Sequence, residues 1–242
     1  NVFLPSGENG PESVFEVQHV KNSNWWDWGF PQGGEGNFGI IHHGPRGYNG
    51  SVYTSGWSFN VPTQALYDAF EDGDSRRDVS ILDIQAWADQ TGAEYTTGYE
   101  HTGYFNHKYI PRAGGTAAQG ELNHETNYRA IRYSDVLLMA AEANNRKSTP
   151  DDAKALNLLN QVRARAFGNN SKASSSTGAT LTQEIWDERM LEFAMEGHRF
   201  FDLVRTGQAA SKISGFVAGK HEVFPIPQTE IDISGLTQNP GY

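Results

Sequence analysis

The stretch IWDERMLEFAMEGHRFFDLVRTG, at residues 185–207, says most about the fold because it predicts one long helix. Its apolar residues recur at helical spacing and form a wide face. Glu188, Glu192 and Glu196 are spaced four residues apart, so they share one stripe, where like charges repel by a few tenths of a kcal/mol. We therefore expect cations beside these acids. The candidates are Arg189, Arg199 and Arg205 within the stretch and Arg163 and Arg165 before it.

Two further helices are predicted upstream of this stretch. Residues 128–145 (YRAIRYSDVLLMAAEANN) are amphipathic, with Ile131 and Val136 on the expected buried side. Thr149 followed by proline and acids predicts a second helix that runs to about Phe167. After a polar connector, Thr180 or Thr182 is the expected cap of the opening helix. Such helical hairpins are the unit of tetratricopeptide-like arrays, and because one pair cannot bury both faces, we expect more helices in a missing N-terminal part.

The rest of the chain is predicted to be mainly loop. Residues 14–20 and 79–82 have strand character, and residues 62–71 form a short amphipathic helix. Residues 22–60 are rich in glycine and aromatic side chains without any period, and long irregular loops of this kind are usually functional or disordered. We expect a loop-rich ligand-binding portion at 1–125, a helical portion at 126–207 and an extended tail, including a short strand, at 208–242.

Composition excludes several classes of function. The chain has 242 residues and a formal net charge of −10, which argues against nucleic acid and anionic lipid as partners. It has no cysteine, so disulfides and thiol chemistry are excluded. The sequence starts at Asn1 rather than at Met, and we interpret it as a processed chain or a fragment.

Several segments, in order, resemble a known family. WDERMLEFAMEGHRFFDLVRTG, preceded by YRAIRYSDVLLMAAEA and ALNLLNQVRARA and followed by KHEVFPIPQTEID and LTQNPGY, is similar to the C-terminal part of the SusD/RagB family. VFEVQ at 14–18 and VPTQALYDAFEDGDSRRD at 61–78 resemble the family more loosely. The resemblance covers most of the chain.

The resemblance implies a fold, a location and an activity. Members of this family are surface-exposed lipoproteins of the Bacteroidetes outer membrane that take part in polysaccharide utilisation and nutrient uptake. The implied fold is mainly α, a tetratricopeptide-like α-α superhelix of SusD type with long irregular loops and a few short strands. The implied activity is non-catalytic carbohydrate binding, with hand-over of the glycan to a SusC-like TonB-dependent transporter. Full members are about twice this long, and we expect the N-terminal helices and the lipid-bearing cysteine, the only membrane attachment, to be absent here.

The aromatic loop is the expected glycan site. Flat C–H faces of sugar rings stack on indole and phenol rings, and neighbouring amides and carboxylates bond the hydroxyls. The alternative is that the tryptophans pin a long loop to the scaffold. The predicted residues are Trp25, Trp26 and Trp28 with Asn24 and Asp27 beside them, and more weakly Tyr48 and Tyr53.

Other interpretations stay open. Glu192 and Glu196 could be the acid and base of a glycoside hydrolase, but we favour an ion-pair network with the arginines. The chain could also be a scaffold for the transporter or a peptide-binding member of the family. No cofactor and no metal is expected, because the histidines show no ligand spacing and 71–78 (EDGDSRRD) is simply interpreted as a solvated turn.

Overall fold

A computed structural model describes residues 2–22, 34–98, 100–116 and 122–242. Contacts divide the chain into two compact units, Asn1–Glu196 and Gly197–Tyr242. The described part has four short strands: β1 (Ser13–Val17), β2 (Ile81–Asp83), β3 (Tyr104–Asn106) and β4 (Tyr128–Arg132). Its helices are α1 (Gly39–His42), α2 (Gln64–Asp68), α3 (Arg76–Ser80), α4 (Ile84–Thr91), α5 (Tyr133–Arg146), α6 (Asp152–Phe167), α7 (Gly178–Glu192), α8 (Arg199–Arg205), α9 (Ala209–Lys212) and α10 (Gln228–Ser234). Within those residues, no helix has the length and apolar character needed to cross a membrane.

The main core of the first unit lies among α5, α6 and α7. The predicted hairpin of α6 and α7 is confirmed, and α5 packs against both helices. The cap of α6 differs from the prediction, because the Asp151 carboxylate, rather than Thr149, accepts a hydrogen bond from the Lys154 backbone N–H at 3.1 Å. The buried side chains are Leu138, Ala141, Ala155, Leu159, Val162, Leu181, Ile185 and Phe193.

Residues 128–132 form a strand, which corrects the helix predicted from residue 128. β4 pairs antiparallel with β1, with Val17 opposite Tyr128 and Phe15 opposite Ile131. This pairing partner is more than a hundred residues away, so local helical spacing could not reveal it. The buried side predicted for this helix is correct in part: Ala141 on α5 is fully buried, whereas Val136 on α5 and Ile131 on β4 are each 37% exposed.

The opening stretch is not one helix. α7 ends at Glu192 and α8 begins at Arg199. Met195 and Gly197 have φ angles of 66° and 89°, in the left-handed region that cannot continue an α-helix. The glycine at 197 therefore serves a backbone turn, since glycine adopts a positive φ without steric cost. The helix also starts earlier than expected, with Thr177 at its N-cap.

The second unit contains α8 and, where an extended tail with a strand was predicted from residue 208, the short helices α9 and α10. Its last residues fold back on themselves. The Gln238 side chain accepts from the Ile226 backbone N–H and donates to its carbonyl, both at 2.8 Å. The Tyr242 hydroxyl donates to the Val223 carbonyl at 3.0 Å.

Candidate functional site

The tryptophans predicted to bind the glycan belong to the first part of the aromatic stretch (residues 22–60), at residues 23–33, and the residues that flank this shorter loop lie next to each other. The Val20 backbone N–H donates to the Glu35 carbonyl at 3.1 Å, which joins the residues just before and just after the segment 23–33. The His19 N–H donates to the Asn127 side chain at 2.9 Å, and Lys21 forms a 2.8 Å ion pair with Glu125. The entry to the loop is therefore held by residues just before β4.

The exit from the loop is held by the same segment. The Asn37 side chain donates to the Thr126 carbonyl at 2.9 Å. A β-carbon on Gly36 would lie 2.3 Å from the α-carbon of Asn123, so the two backbones approach as closely as only glycine allows. Both ends of the loop are thus anchored to residues 123–127 in the first unit.

The predicted platform residues themselves lie outside the described residues. These are Asn24, Trp25, Trp26, Asp27 and Trp28. Their role as a glycan site remains a prediction.

Tyr48 and Tyr53 do not lie on a surface. They are 8% and 3% exposed and belong to a second core with Leu82, Ile84 and Phe105. Their hydroxyl groups are also engaged: Tyr48 accepts from the Trp87 indole N–H at 3.0 Å, and Tyr53 lies 2.8 Å from His107 Nε2. Because a buried ring cannot stack on a sugar, we remove both tyrosines from the predicted site. Sequence gave no sign of this, since aromatic residues in an aperiodic loop can face either way.

The three acids of the opening stretch lie at the centre of a buried ion-pair cluster. We use this name for Glu188, Glu192 and Glu196 together with Arg76, Lys108 and Arg132, and with Asp74, Arg163 and Arg165 at its edge. All three glutamates are almost fully buried. The cations come from α3, from the segment after β3, from the end of β4 and from α6, so the cluster ties these elements to α7.

Short contacts satisfy each acid. Glu188 accepts from Arg76 at 2.6 Å and from Arg163 at 2.8 Å. Glu192 accepts from Arg132 at 3.0 Å, Arg76 at 3.3 Å and Arg165 at 2.5 Å.

The turn after Glu192 brings the third acid into the same cluster. Glu196 accepts from Lys108 at 2.6 Å and from Arg132 at 2.8 Å. The Met195 carbonyl, at the left-handed position, accepts from the Asn106 side chain at 3.1 Å. The predicted ion-pair network is therefore confirmed for all three glutamates.

The electrostatics of the cluster oppose acid–base chemistry. Burial by itself would raise the pKa of the Glu192 carboxyl, but Arg132 and the other neighbouring cations outweigh burial and hold its pKa far below its usual value. The pKa of Glu196 is likewise lowered, because Lys108 and Arg132 outweigh the effect of burial. A hydrolase needs one carboxyl that holds a proton at neutral pH. Neither glutamate has the environment for that role.

The cations of the cluster were only partly foreseen. Arg163 and Arg165 pair with the acids as expected, whereas Arg189 bonds Asp135 at 2.6 Å. The cluster also uses Arg76, Lys108 and Arg132, which sequence reasoning missed.

The segment predicted as a solvated turn, EDGDSRRD, is partly buried. Asp74 and Arg76 are 6% exposed, and they pair with each other at 2.6 Å. The only signal in the sequence was that mixed charges stand close together just before an apolar strand.

The described residues form a helical core that carries long anchored loops and a few short strands, and the acids at its centre are paired with cations. This arrangement is a scaffold of the SusD type. Residues 82–223, which make up more than half of the chain, match the SusD family in sequence. A SusD-like protein, P2, from Formosa agariphila is 30% identical over 82% of this chain and 43% of its own length. The chain belongs to the SusD family.

Solved structures agree over the whole chain. A laminarin-binding SusD-like protein is 41% identical, with a TM-score of 0.84 over 100% of this chain and 52% of its own. Surface glycan-binding protein A from Bacteroides thetaiotaomicron, in complex with laminarihexaose, is 33% identical, with a TM-score of 0.86 over 98% of this chain and 54% of its own. The same-named protein from Bacteroides fluxus is 32% identical, with a TM-score of 0.87 over 100% and 53%. The chain thus spans about half the length of these relatives.

Proposed function

We propose that this chain is part of a non-catalytic protein that binds a glycan at the bacterial outer-membrane surface. The observation that carries the proposal is the 41% identity, over the whole chain, to a laminarin-binding protein of the same fold. A second relative of that fold was solved with laminarihexaose. The first ligand to test is therefore a neutral glucan of this kind.

The proposed site is the loop platform of Trp25, Trp26 and Trp28, with Asn24 and Asp27 bonding sugar hydroxyls. The anchored ends of the loop support this proposal, because binding residues concentrate on loops that a rigid scaffold holds.

Isothermal titration calorimetry with laminarihexaose tests this site. Trp25→Ala and Trp26→Ala should each weaken binding by about tenfold, which corresponds to about 1.4 kcal/mol. Trp186→Ala is the matched control, because that indole is half-buried on α7, below the Arg146 guanidinium, and outside the loop. If both loop variants bind laminarihexaose with the affinity of the wild type, the glycan binds elsewhere.

The absence of catalysis is also part of the proposal. It is supported by the buried ion-pair cluster, which keeps Glu192 and Glu196 charged and occupied. Incubating the protein with laminarihexaose and analysing the products by chromatography tests it. Hydrolysis that disappears in Glu192→Gln would show that the hydrolase interpretation is right.

Delivery to a SusC-like TonB-dependent transporter, and attachment to the outer membrane through an N-terminal lipid, complete the proposal. Both rest on membership of the SusD family. Affinity purification of the full-length protein from outer membranes should recover the transporter. Recovery of the transporter without any glycan binding would favour the scaffold interpretation, and binding of peptides alone would favour the peptide-binding one.

A further inference from the structure

A groove of about 390 Å³ opens on the first unit beside α3, β2 and α4. We call it the β2 groove and define it by Tyr67, Arg77, Asp78, Asp83, Trp87 and Gln90. Its volume lies in the range of small-ligand sites. None of these residues belongs to the loop platform or to the buried ion-pair cluster.

Two aromatic side chains line the β2 groove, and the protein fixes both of them. The Trp87 indole N–H donates to the Tyr48 hydroxyl at 3.0 Å, which sets the plane of the ring. Tyr67 stacks on Tyr104 with ring centroids 4.5 Å apart and an interplanar angle of 15°. Both Trp87 and Tyr67 are half-buried. The Arg77 guanidinium lies over the Tyr67 ring, 5.1 Å from its centre, so Tyr67 borders the groove with its edge, and Trp87 is the ring that can stack on a ligand. A ring held in this way binds without losing rotamer freedom.

Polar groups with unused capacity stand beside the rings. Within the described residues, Asp83 uses only Oδ1, which accepts from the Ala86 N–H at 3.0 Å and leaves its second oxygen as an acceptor. The Arg77 guanidinium lies over the Tyr67 ring, and among the described residues its one hydrogen bond is from Nε to Asp78 at 3.3 Å, so its four other N–H groups remain as donors. The Gln90 amide supplies a further donor and acceptor. The groove can therefore bond hydroxyl groups in both directions.

The charge of the β2 groove selects the class of ligand. Arg77 contributes one positive charge, and Asp78 and Asp83 contribute two negative charges. His107 is neutral: burial lowers its pKa, and its contacts, at 2.6 Å to the Asp78 carbonyl and 2.8 Å to the Tyr53 hydroxyl, are satisfied by the neutral ring. The net negative charge disfavours a carboxylated or sulfated ligand. Aromatic rings bordered by acceptors and donors suit a neutral ring that carries several hydroxyls.

We propose that the β2 groove is a second glycan contact, which takes a neutral sugar ring in addition to the contact at the loop platform. This inference rests on the proposed glycan binding. Two contacts on one chain would raise the affinity for longer glycans that engage both, provided that the glycan can span them.

Calorimetry on the whole protein tests the β2 groove with two independent variants. The probes are a panel of neutral oligosaccharides, with laminarihexaose first, and a polyuronate oligosaccharide of matched length. Tyr67→Ala removes the aromatic edge that borders the groove and positions Arg77, and Gln90→Ala removes an exposed amide without touching the core. Each should weaken binding of the neutral glycan about fivefold. Tyr133→Ala is the matched control, because that ring is 50% exposed on α5 and does not line the groove.

The outcomes separate this inference from the proposed function. Weaker binding in Tyr67→Ala and Gln90→Ala, with Tyr133→Ala unchanged and all three variants folded by circular dichroism, supports the groove. If both groove variants bind the neutral glycan with the affinity of the wild type, the groove is not a glycan contact, and the proposed function still stands. Failure of every neutral oligosaccharide to bind the wild type would overturn both. If the wild type binds the polyuronate more tightly than the neutral glycans, and Tyr67→Ala abolishes that binding, the ligand of the groove is not neutral.

Discussion

Replacing Glu192 by glutamine removes the central charge of the buried ion-pair cluster while keeping the shape of the side chain. The Glu192 carboxylate is 1% exposed and accepts from Arg132 at 3.0 Å and Arg76 at 3.3 Å, both of which are buried. Its third partner, Arg165, is 51% exposed, so loss of that pair contributes little. Removing one partner of a buried ion pair costs about 3–5 kcal/mol. That is a large fraction of the roughly 5–15 kcal/mol by which a domain is stable.

Urea denaturation followed by circular dichroism measures this loss as a lower midpoint at constant slope. In a chain of this size the melting temperature should fall by about 2–4 °C for each kcal/mol. Glu71→Gln is the matched control, because the Glu71 carboxylate, which pairs with Lys172 at 2.6 Å and with Arg163 at 3.6 Å, is about half exposed. Such a surface pair is worth about 0–1 kcal/mol. Equal shifts in Glu192→Gln and Glu71→Gln would refute the stabilising role of the cluster.

The stability difference between the wild type and Glu192→Gln should also depend on pH. The pKa of Glu192 is lower in the folded protein than its usual value of 4.5, because the surrounding cations outweigh burial. Its contribution to stability is therefore complete above about pH 4.5 and is lost as the pH falls toward the folded pKa. The difference in unfolding free energy between wild type and Glu192→Gln should shrink below about pH 4.5. A difference that stays constant between pH 7 and pH 3 would contradict this assignment.

Three further pairs of variants test the fold by chemical denaturation. Asp151→Ala should cost about 1 kcal/mol as the cap of α6, whereas Thr149→Ala should be nearly neutral; the reverse order would restore the cap predicted from sequence. Met195→Val should be about 1–2 kcal/mol less stable than Met195→Asn, because a β-branched residue resists a φ of 66° that asparagine accepts; equal stability would argue against a left-handed position. Leu159→Ala should cost about 2–5 kcal/mol by opening a cavity in the main core, and clearly more than Leu156→Ala at a partly buried position; equal costs would contradict the packing of α6.

Helical periodicity predicted the existence of α6 and α7 and the need for cations beside their acids. It was correct where the pattern is local, as in α6, whose buried residues Ala155, Leu159, Val162 and Ala166 follow one another at intervals of three or four positions along the chain. It was wrong where a segment distant in the sequence determines the local conformation. Residues 128–132 have a helical spacing of apolar residues, yet they form a strand because β1 supplies their hydrogen bonds.

The candidate site divides in the same way. The tryptophan-rich loop stands out in the sequence because no packing period runs through it, and the structure adds that its two ends meet at Val20 and Glu35. Sequence could not separate aromatic residues that face a core from those that face solvent. Tyr48 and Tyr53 were expected to assist binding and are buried, whereas Trp87, which drew no attention in the sequence, lines the β2 groove.

For the opening stretch, sequence alone determined its helical start, its excess of acids and its resemblance to the SusD/RagB family. Only the tertiary structure decided where the helix stops and what the acids do. The helix ends at Glu192, and the turn that follows, with Met195 in a left-handed conformation, brings Glu196 into the same cluster as Glu192. One partner that Glu188 and Glu192 share is Arg76, which lies more than a hundred residues earlier in the chain. An ion pair across that separation is decided by packing, because no local pattern in the sequence brings its two charges together.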